Sequence, residues 1–383
     1  KGRLTEKKLY KSVIKSYRRL TYTEVRDILS GTLDAKDRAL EAELHLMEEL
    51  SKLLNERRFE EGSIDFDLPE PQIIIDLSGK VEDIVRSERN IAHRLIEEFM
   101  LAANRAVADE FYSKELPQIY RVHAKPDIES INSFSEFVSG FGYHVKQFKD
   151  PSLITPKMLQ DILKKCKGKS EEKLINHVLL RSMKRAEYSP ENAGHFGLAF
   201  KDYTHFTSPI RRYPDLVVHR LTKLLIEGKY SKDEQNRVAR ELPAIAQQAS
   251  TLERNAMEAE REIIDLKKAQ FMKAKVGESF EGFVSGVTGF GVFVELKEFF
   301  VEGLIHISSL IDDYYIFDEP RHRLIGESTN KAFSVGDEIT VIVEGVDISK
   351  RQIDMKLAKP PGARKKKAPK FSRAKRTKKK SRK

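Results

Sequence analysis

At residue 276 the hydrophobic pattern of this chain changes period, and that change restricts the folds open to it more than any other feature. Upstream, apolar residues recur at helix spacing: Leu20, Val25, Ile28 and Leu29 before a stop at Gly31, then Leu44, Met47, Leu50, Leu53 and Leu54. Downstream, the apolar runs shorten to strand length and are separated by turns, over residues 280–285, 291–296, 304–308, 338–346 and 353–357. Five such runs predict a small closed barrel of the OB type. The expected fold class is therefore α+β: a helix-rich mixed domain over 1–275, an all-β barrel over 276–359 and a tail over 360–383.

Within the first part, Ile64, Phe66 and Leu68 alternate with Ser63, Asp65 and Asp67 ahead of Pro69 and Pro71, which reads as a strand. A hairpin follows over 73–85 around Ser78-Gly79. Ser87 is placed to cap a long helix reaching about residue 111, with Ile91, Leu95, Phe99, Ala102 and Ala106 as its buried stripe. Glu97 and Glu98 fall next to that stripe, either as solvated charges or as carboxylates recruited to a site. A short strand near 119–123 and helices opening at 126, over 155–166, 170–183, 217–227 and 242–271 complete the pattern. No internal repeat is evident.

The richest stretch runs from residue 195 to 220. Ser208 followed by Pro209 reads as an N-cap and first helical residue, which sets Arg211 and Arg212 in an opening helical turn. Cations there oppose the helix dipole by ~0.3–1 kcal/mol each when exposed. Pro214 would kink such a helix, so either the axis bends or a short turn holds the arginines and the main helix starts near Pro214 with Asp215 favouring its dipole. Both arrangements leave the pair at a helix mouth, facing a nucleic-acid phosphate through N–H groups and guanidinium forks, or solvated and bridged to acidic neighbours.

Charge separates along the chain. The net of +10 rests on the tail: 13 Lys or Arg and no acid lie between residues 364 and 383, against 56 basic and 59 acidic residues before them. That composition predicts a disordered segment that binds polyanions without sequence preference, or serves solubility alone. No uninterrupted apolar run is long enough to span a membrane and the first residues lack a secretory apolar region. The single cysteine, Cys166, excludes an intrachain disulfide framework and a cysteine-rich zinc site and fits a reducing, cytoplasmic setting. In the barrel, Phe290 and Phe293 flank a Gly-rich run and join His306, Asp347 and Arg351 in a face suited to stacking unpaired bases. A lone aromatic at such a position reads as core; the set together reads as a platform.

The run His195-Phe196-Gly197-Leu198 with Thr207-Ser208-Pro209-Ile210-Arg211-Arg212-Tyr213, preceded by Glu97-Glu98 and Ala102-Ala103-Asn104, resembles the catalytic (RNB) domain of the ribonuclease II and ribonuclease R family. Residues 282–293 with Glu302-Gly303-Leu304-Ile305-His306-Ile307-Ser308 resemble an S-one-type RNA-binding domain. The resemblance implies a processive 3′-to-5′ exoribonuclease, a hydrolase that releases nucleoside 5′-monophosphates with magnesium. It implies that Arg211 contacts the scissile phosphate as a catalytic group, that Phe66 stacks on the terminal base, and that Tyr22 and Glu97 sit at the terminal riboses, where a 2′-hydroxyl separates RNA from DNA. Arg212 joins them as a substrate-binding residue. Implied partners are single-stranded RNA, structured RNA with a 3′ overhang and the ribosome, met by a monomer away from any membrane.

The family's metal-binding aspartate cluster is not matched in these residues. Asp65, Asp67 and Glu70 are the nearest approach, and alternation on a strand makes them a solvated face. Hydrolysis through bound metal needs several carboxylates, so the expectation is the C-terminal part of a longer ribonuclease whose magnesium ligands lie upstream, in keeping with the missing initiator Met. The alternative is an inactive RNA-binding module. A structural protein associated with ribosomes through its tail is a third reading.

Overall fold

Capping side chains decide where the helices begin. In the computed structural model, which describes residues 4–66, 71–169, 171–319 and 323–358 apart from the side chain at 173, Thr21 and Glu24 close a capping box at the head of α1 (Tyr22–Leu29). Asp37 caps α2 (Arg38–Glu60), and Asn90 caps α3 (Ile91–Tyr112) by accepting from the N–H groups of Ala92 and His93. The sequence pattern places that last cap at Ser87. Asn90 takes the role because its amide oxygen reaches two orphan donors, which leaves residues 87–89 outside the helix.

The buried face of α3 is also rotated from the expected stripe. Its interior positions are Ala92, Leu95, Glu98, Leu101, Asn104, Val107, Ala108 and Phe111, whereas Ala102 is exposed. Two polar residues turn the helix, because Glu98 is drawn inward by Arg58 and Asn104 by the backbone of residue 206. The expected strand at 63–68 differs as well. Residues 63–66 form no strand pairing; Ile64 N–H donates to the Gly197 carbonyl, and Gln160 donates to the Ser63 carbonyl. Residues 67–70, with Asp67, Leu68 and Glu70, lie outside the described residues, as do Ser170 and the basic tail.

A hairpin of β1 (Pro71–Ile75) and β2 (Val81–Arg86) follows. Further along, β3 (Tyr120–Val122) pairs with β4 (Glu187–Ser189), and α4 (Ile128–Ser139), α5 (Pro156–Cys166) and α6 (Glu172–Ser182) form the excursion between them around their own core of Ile131, Phe134, Leu159, Ile175 and Leu179. Then α7 (Tyr213–Ile226) packs with α3 and the first half of α8 (Lys232–Lys273) around Phe111, Val218 and Leu242.

Helix α8 extends from that core to the barrel. Its middle, residues 254–263, is exposed on every side, and Ala269 and Met272 near its end are buried again. The barrel itself closes in the order β11 (Glu338–Asp347), β12 (Gln352–Leu357), β7 (Glu302–His306), β6 (Gly291–Leu296), β5 (Ser279–Thr288), with β11 pairing back to β5. All five runs anticipated from the sequence are there. A second sheet of β8 (Tyr315–Asp318), β9 (Arg323–Gly326) and β10 (Ala332–Ser334) lies between β7 and β11 in the chain, and these runs were too short for the apolar pattern to reveal. Val81 and Ile84 of the β2 strand join the barrel core beside Met272, so the hairpin and α8 both brace the barrel. Among the described residues no helix is long and apolar enough to cross a membrane.

Candidate functional site

The two arginines do not sit inside a helix. Residues 209–211 form a turn in which the N–H groups of Arg211 and Arg212 both donate to the Ser208 carbonyl, and Arg212 is the N-cap of α7. Of the two arrangements that Pro214 allows, the short turn ahead of the helix is the one present. Asp215 closes it: one carboxylate oxygen accepts from Ser208 N–H at 2.8 Å and from the Arg212 guanidinium at 2.7 Å. Asp215 is fully buried and lies in the first turn of α7, where the helix dipole also favours its charge. The anion that the dipole argument demands is thus internal for Arg212. Arg211 is exposed next to a fully exposed Ile210 and has no ion-pair partner among the described residues.

Helix α3 anchors the approach to this turn. Asn104 donates to the Tyr203 hydroxyl and accepts from Phe206 N–H, both at 2.9 Å, while the Phe206 ring stacks on His219 of α7 with centroids 3.9 Å apart. Three buried polar atoms at the turn, Thr207 Oγ1, Arg212 Nε and Asp215 Oδ2, have no hydrogen-bond partner among the described residues. Buried polar atoms left open are uncommon.

The residues assigned to ribose contacts lie on α3 and at the start of α1, which packs against it. Tyr22, half exposed at the start of α1, stacks on His93 with centroids 4.0 Å apart, and His93 is held by Asn90. Glu97 lies one turn further along the same face. Its Oε2 accepts from Arg89 at 2.6 Å, and the other arm of that guanidinium reaches Asp65 at 3.2 Å, beside Phe66. Burial opposes the Arg89 charge, but its bonds to Glu97 and Asp65 outweigh this and hold the guanidinium above its ordinary pKa. Asp65, Arg89 and Glu97 line a cleft of 330 Å³ with Arg94, Lys164 and Asn176. Tyr22 and Arg211 lie outside this cleft, and Phe66 packs against the α4–α6 core. Glu98, the neighbour of Glu97, borders the same cleft but is held in a buried pair with Arg58 at 2.7 Å and has a structural role. Arg89 and His93 escape sequence reasoning because a lone cation before a cap and a lone histidine on a helix carry no signal of their own.

The His-Phe-Gly-Leu run is a loop support. His123 Nδ1 accepts from Gly197 N–H while its Nε2 faces the Lys184 carbonyl, so the proton sits on Nε2 and the ring is neutral. A Cβ at Gly197 would lie 2.9 Å from that Nδ1, so the loop needs glycine for the approach. Burial pushes His195 down to about 3 and His205 to about 2, the latter hydrogen-bonded to the Tyr188 hydroxyl.

On the barrel, Phe290 and Phe293 meet edge to face at 5.9 Å, and His306 pairs across β6–β7 with Gly291. A Cβ at Gly291 would strike the Ile305 carbonyl, so glycine lets the aromatic strand approach β7. Asp347 ends β11 and holds Ser349 and Lys350 in the β11–β12 turn; Arg351 of that turn reaches Glu262 of α8 at 3.1 Å.

Among the described residues no group of three or more His, Cys, Asp or Glu side chains is placed to hold a metal. Four acids line the cleft: Asp65 and Glu97 are engaged by Arg89, Glu98 by Arg58, and Glu172 accepts from the Gly168 N–H, so this donor set does not fit magnesium, which wants several free oxygen ligands in octahedral array.

A family model described as RNB domain matches residues 1–228, and one described as S1 RNA binding domain matches residues 273–357. Ribonuclease R of Aquifex aeolicus is 45% identical over 93% of this chain and 50% of its own length; that of Escherichia coli is 40% identical over 93% and 45%. The solved structure of Mycoplasma genitalium RNase R with ribose-methylated single-stranded RNA superimposes with a TM-score of 0.83 at 28% identity, covering 88% of this chain and 53% of that one. The chain spans about half the length of the curated relatives it matches.

Proposed function

This chain belongs to the RNB family of hydrolytic exoribonucleases, and from that membership we propose that it supplies the RNA path and the phosphate-facing arginine of a 3′-to-5′ exoribonuclease releasing nucleoside 5′-monophosphates. The observation that carries the reading is the Arg211 turn. A charged side chain is held outward by a turn clamped on a fully buried carboxylate, with no ion-pair partner among the described residues, which is the condition for a guanidinium kept for an incoming phosphate. Helix α3 ties this turn through Asn104 to Glu97 and, through His93, to Tyr22. In the proposed path the Phe290, Phe293 and His306 face of the barrel stacks unpaired bases, with Asp347 and Arg351 at its edge. The Mycoplasma genitalium relative has been solved in complex with single-stranded and double-stranded RNA, which supports RNA as the substrate. Structured RNA with a 3′ overhang and the ribosome are further proposed partners of a cytoplasmic monomer. Magnesium is the proposed cofactor, with ligands outside the described residues.

The unsuitable carboxylate set of the cleft favours a second reading for the chain alone, an RNA-binding module without hydrolysis. The two separate in one assay: the chain is incubated with magnesium and a 3′-labelled single-stranded RNA, and both retention and labelled mononucleotide are measured. Binding weakened by Arg211→Ala, without mononucleotide release by the chain alone, is the expected result. Robust release would place the metal carboxylates within this chain. RNA affinity indifferent to Arg211 and to the barrel phenylalanines would remove the proposed path.

A further inference from the structure

We infer that Arg89 is a positioning residue for ribose selection: by bridging Glu97 and Asp65 it holds Glu97 so that one carboxylate oxygen stays open to a 2′-hydroxyl, and ties that sugar contact to the Phe66 segment. The inference rests on the reading of Glu97 given above. Arg89 lies immediately before the Asn90 cap, so its backbone is fixed where α3 begins, and its two terminal nitrogens diverge to two different segments. Glu97 is bonded only through Oε2; Oε1 makes no hydrogen bond among the described residues. A carboxylate held through one oxygen presents the other in one direction. A carboxylate held through neither samples its rotamers and loses a directed acceptor.

Electrostatics points the same way. Asp65 and Glu97 share one guanidinium within a cleft that a polyanion would enter, and each of the three side chains is about one-third exposed, at 32%, 34% and 33%. Without Arg89 two bare carboxylates would face the incoming phosphates and repel them. Arg89 therefore makes an acidic residue usable beside a nucleic-acid backbone. Asp65 precedes Phe66 directly, and Ile64 is pinned to the Gly197 carbonyl, so the same guanidinium fixes the distance between the ribose contact and the segment assigned to base stacking.

The test measures affinity of the 383-residue chain for a short single-stranded RNA and for its all-deoxy counterpart, at salt high enough to suppress contacts of the tail. Glu97→Ala should reduce the RNA-over-DNA preference by about tenfold, the worth of one hydrogen bond to a charged group. Arg89→Met should reduce it as much, the double variant no further, and Arg89→Lys less, since an ammonium keeps the charge without the divergent fork. If Arg89→Met lowers RNA and DNA affinity equally, Arg89 is a plain phosphate contact and the inference is overturned. If the Glu97 and Arg89 effects add, the two act independently and it is likewise overturned. If Glu97→Ala leaves the preference untouched, the reading of Glu97 itself fails, and that failure is visible whatever Arg89 does. Asp65→Asn, which leaves the Arg89–Glu97 bond in place, covers the case in which Arg89→Met does not fold; it should lower the preference by less than Glu97→Ala, and an unchanged preference refutes the tie to the Phe66 segment.

Discussion

Adjacent glutamates on α3 should respond to truncation in opposite ways. Glu98 is 4% exposed and its Oε1 accepts from Arg58 Nε, from Arg58 Nη2 at 2.7 Å and from Asn55 Nδ2 at 2.7 Å; Arg58 is itself 5% exposed and, among the described residues, donates further only to Ser63. Glu98→Ala strands that guanidinium in the interior with one neutral partner, and removing one member of a buried pair costs about 3–5 kcal/mol. Glu97→Ala breaks a bond in which both groups are about one-third exposed, and the loss should stay below about 1 kcal/mol. The chain has no tryptophan, so urea unfolding is best followed by circular dichroism of the helices, which lie almost wholly before the barrel. Replacing both partners, Arg58→Met with Glu98→Leu, should recover most of the stability, because no unpaired charge remains. Equal midpoints for Glu98→Ala and Glu97→Ala, or a double variant no better than Glu98→Ala, would refute the division of the pair into one buried structural carboxylate and one part-exposed carboxylate.

His195 and His205 are neutral in the fold, held near 3 and 2 by burial against an ordinary value of 6.5. Between those values the unfolded chain binds protons that the folded chain refuses, so stability is complete above pH 6.5 and falls as pH drops, by on the order of 2 kcal/mol per histidine at pH 5; a melting temperature unchanged from pH 7 to pH 5 would contradict this. Asp215→Ala removes the acceptor of Ser208 N–H and of Arg212 and should cost about 1–3 kcal/mol while weakening RNA binding as much as Arg211→Ala does, which titration of both variants will measure. Phe290→Ala, at a half-exposed position, should lower single-stranded RNA affinity roughly tenfold at unchanged melting temperature; a loss of melting temperature in place of affinity would make the ring part of the core.

Much of the architecture was legible in order along the chain. The change of period at residue 276, the five barrel strands and the helix at 156–166 follow from apolar spacing, because those elements bury one continuous apolar face and local pattern alone decides them. The three-stranded insert escaped because strands of three or four residues are too short to show a period. The α3 face escaped because two of its interior positions are polar, which no hydrophobic count predicts.

The chemistry divides along the same line. Composition and motif alone identified an RNB-family polypeptide with a basic end and nominated Arg211, Glu97 and Tyr22 as candidate site residues. Which of two neighbouring arginines faces outward, which of two neighbouring glutamates is buried, and which cation holds the other were decided only in three dimensions. Neighbours in sequence share composition and motif, so nothing local separates them. Asp215 selects Arg212, Arg58 selects Glu98 and Arg89 selects Glu97 through contacts 3, 40 and 8 residues apart, and an ion pair inside a protein forms wherever packing brings two charges together at low exposure.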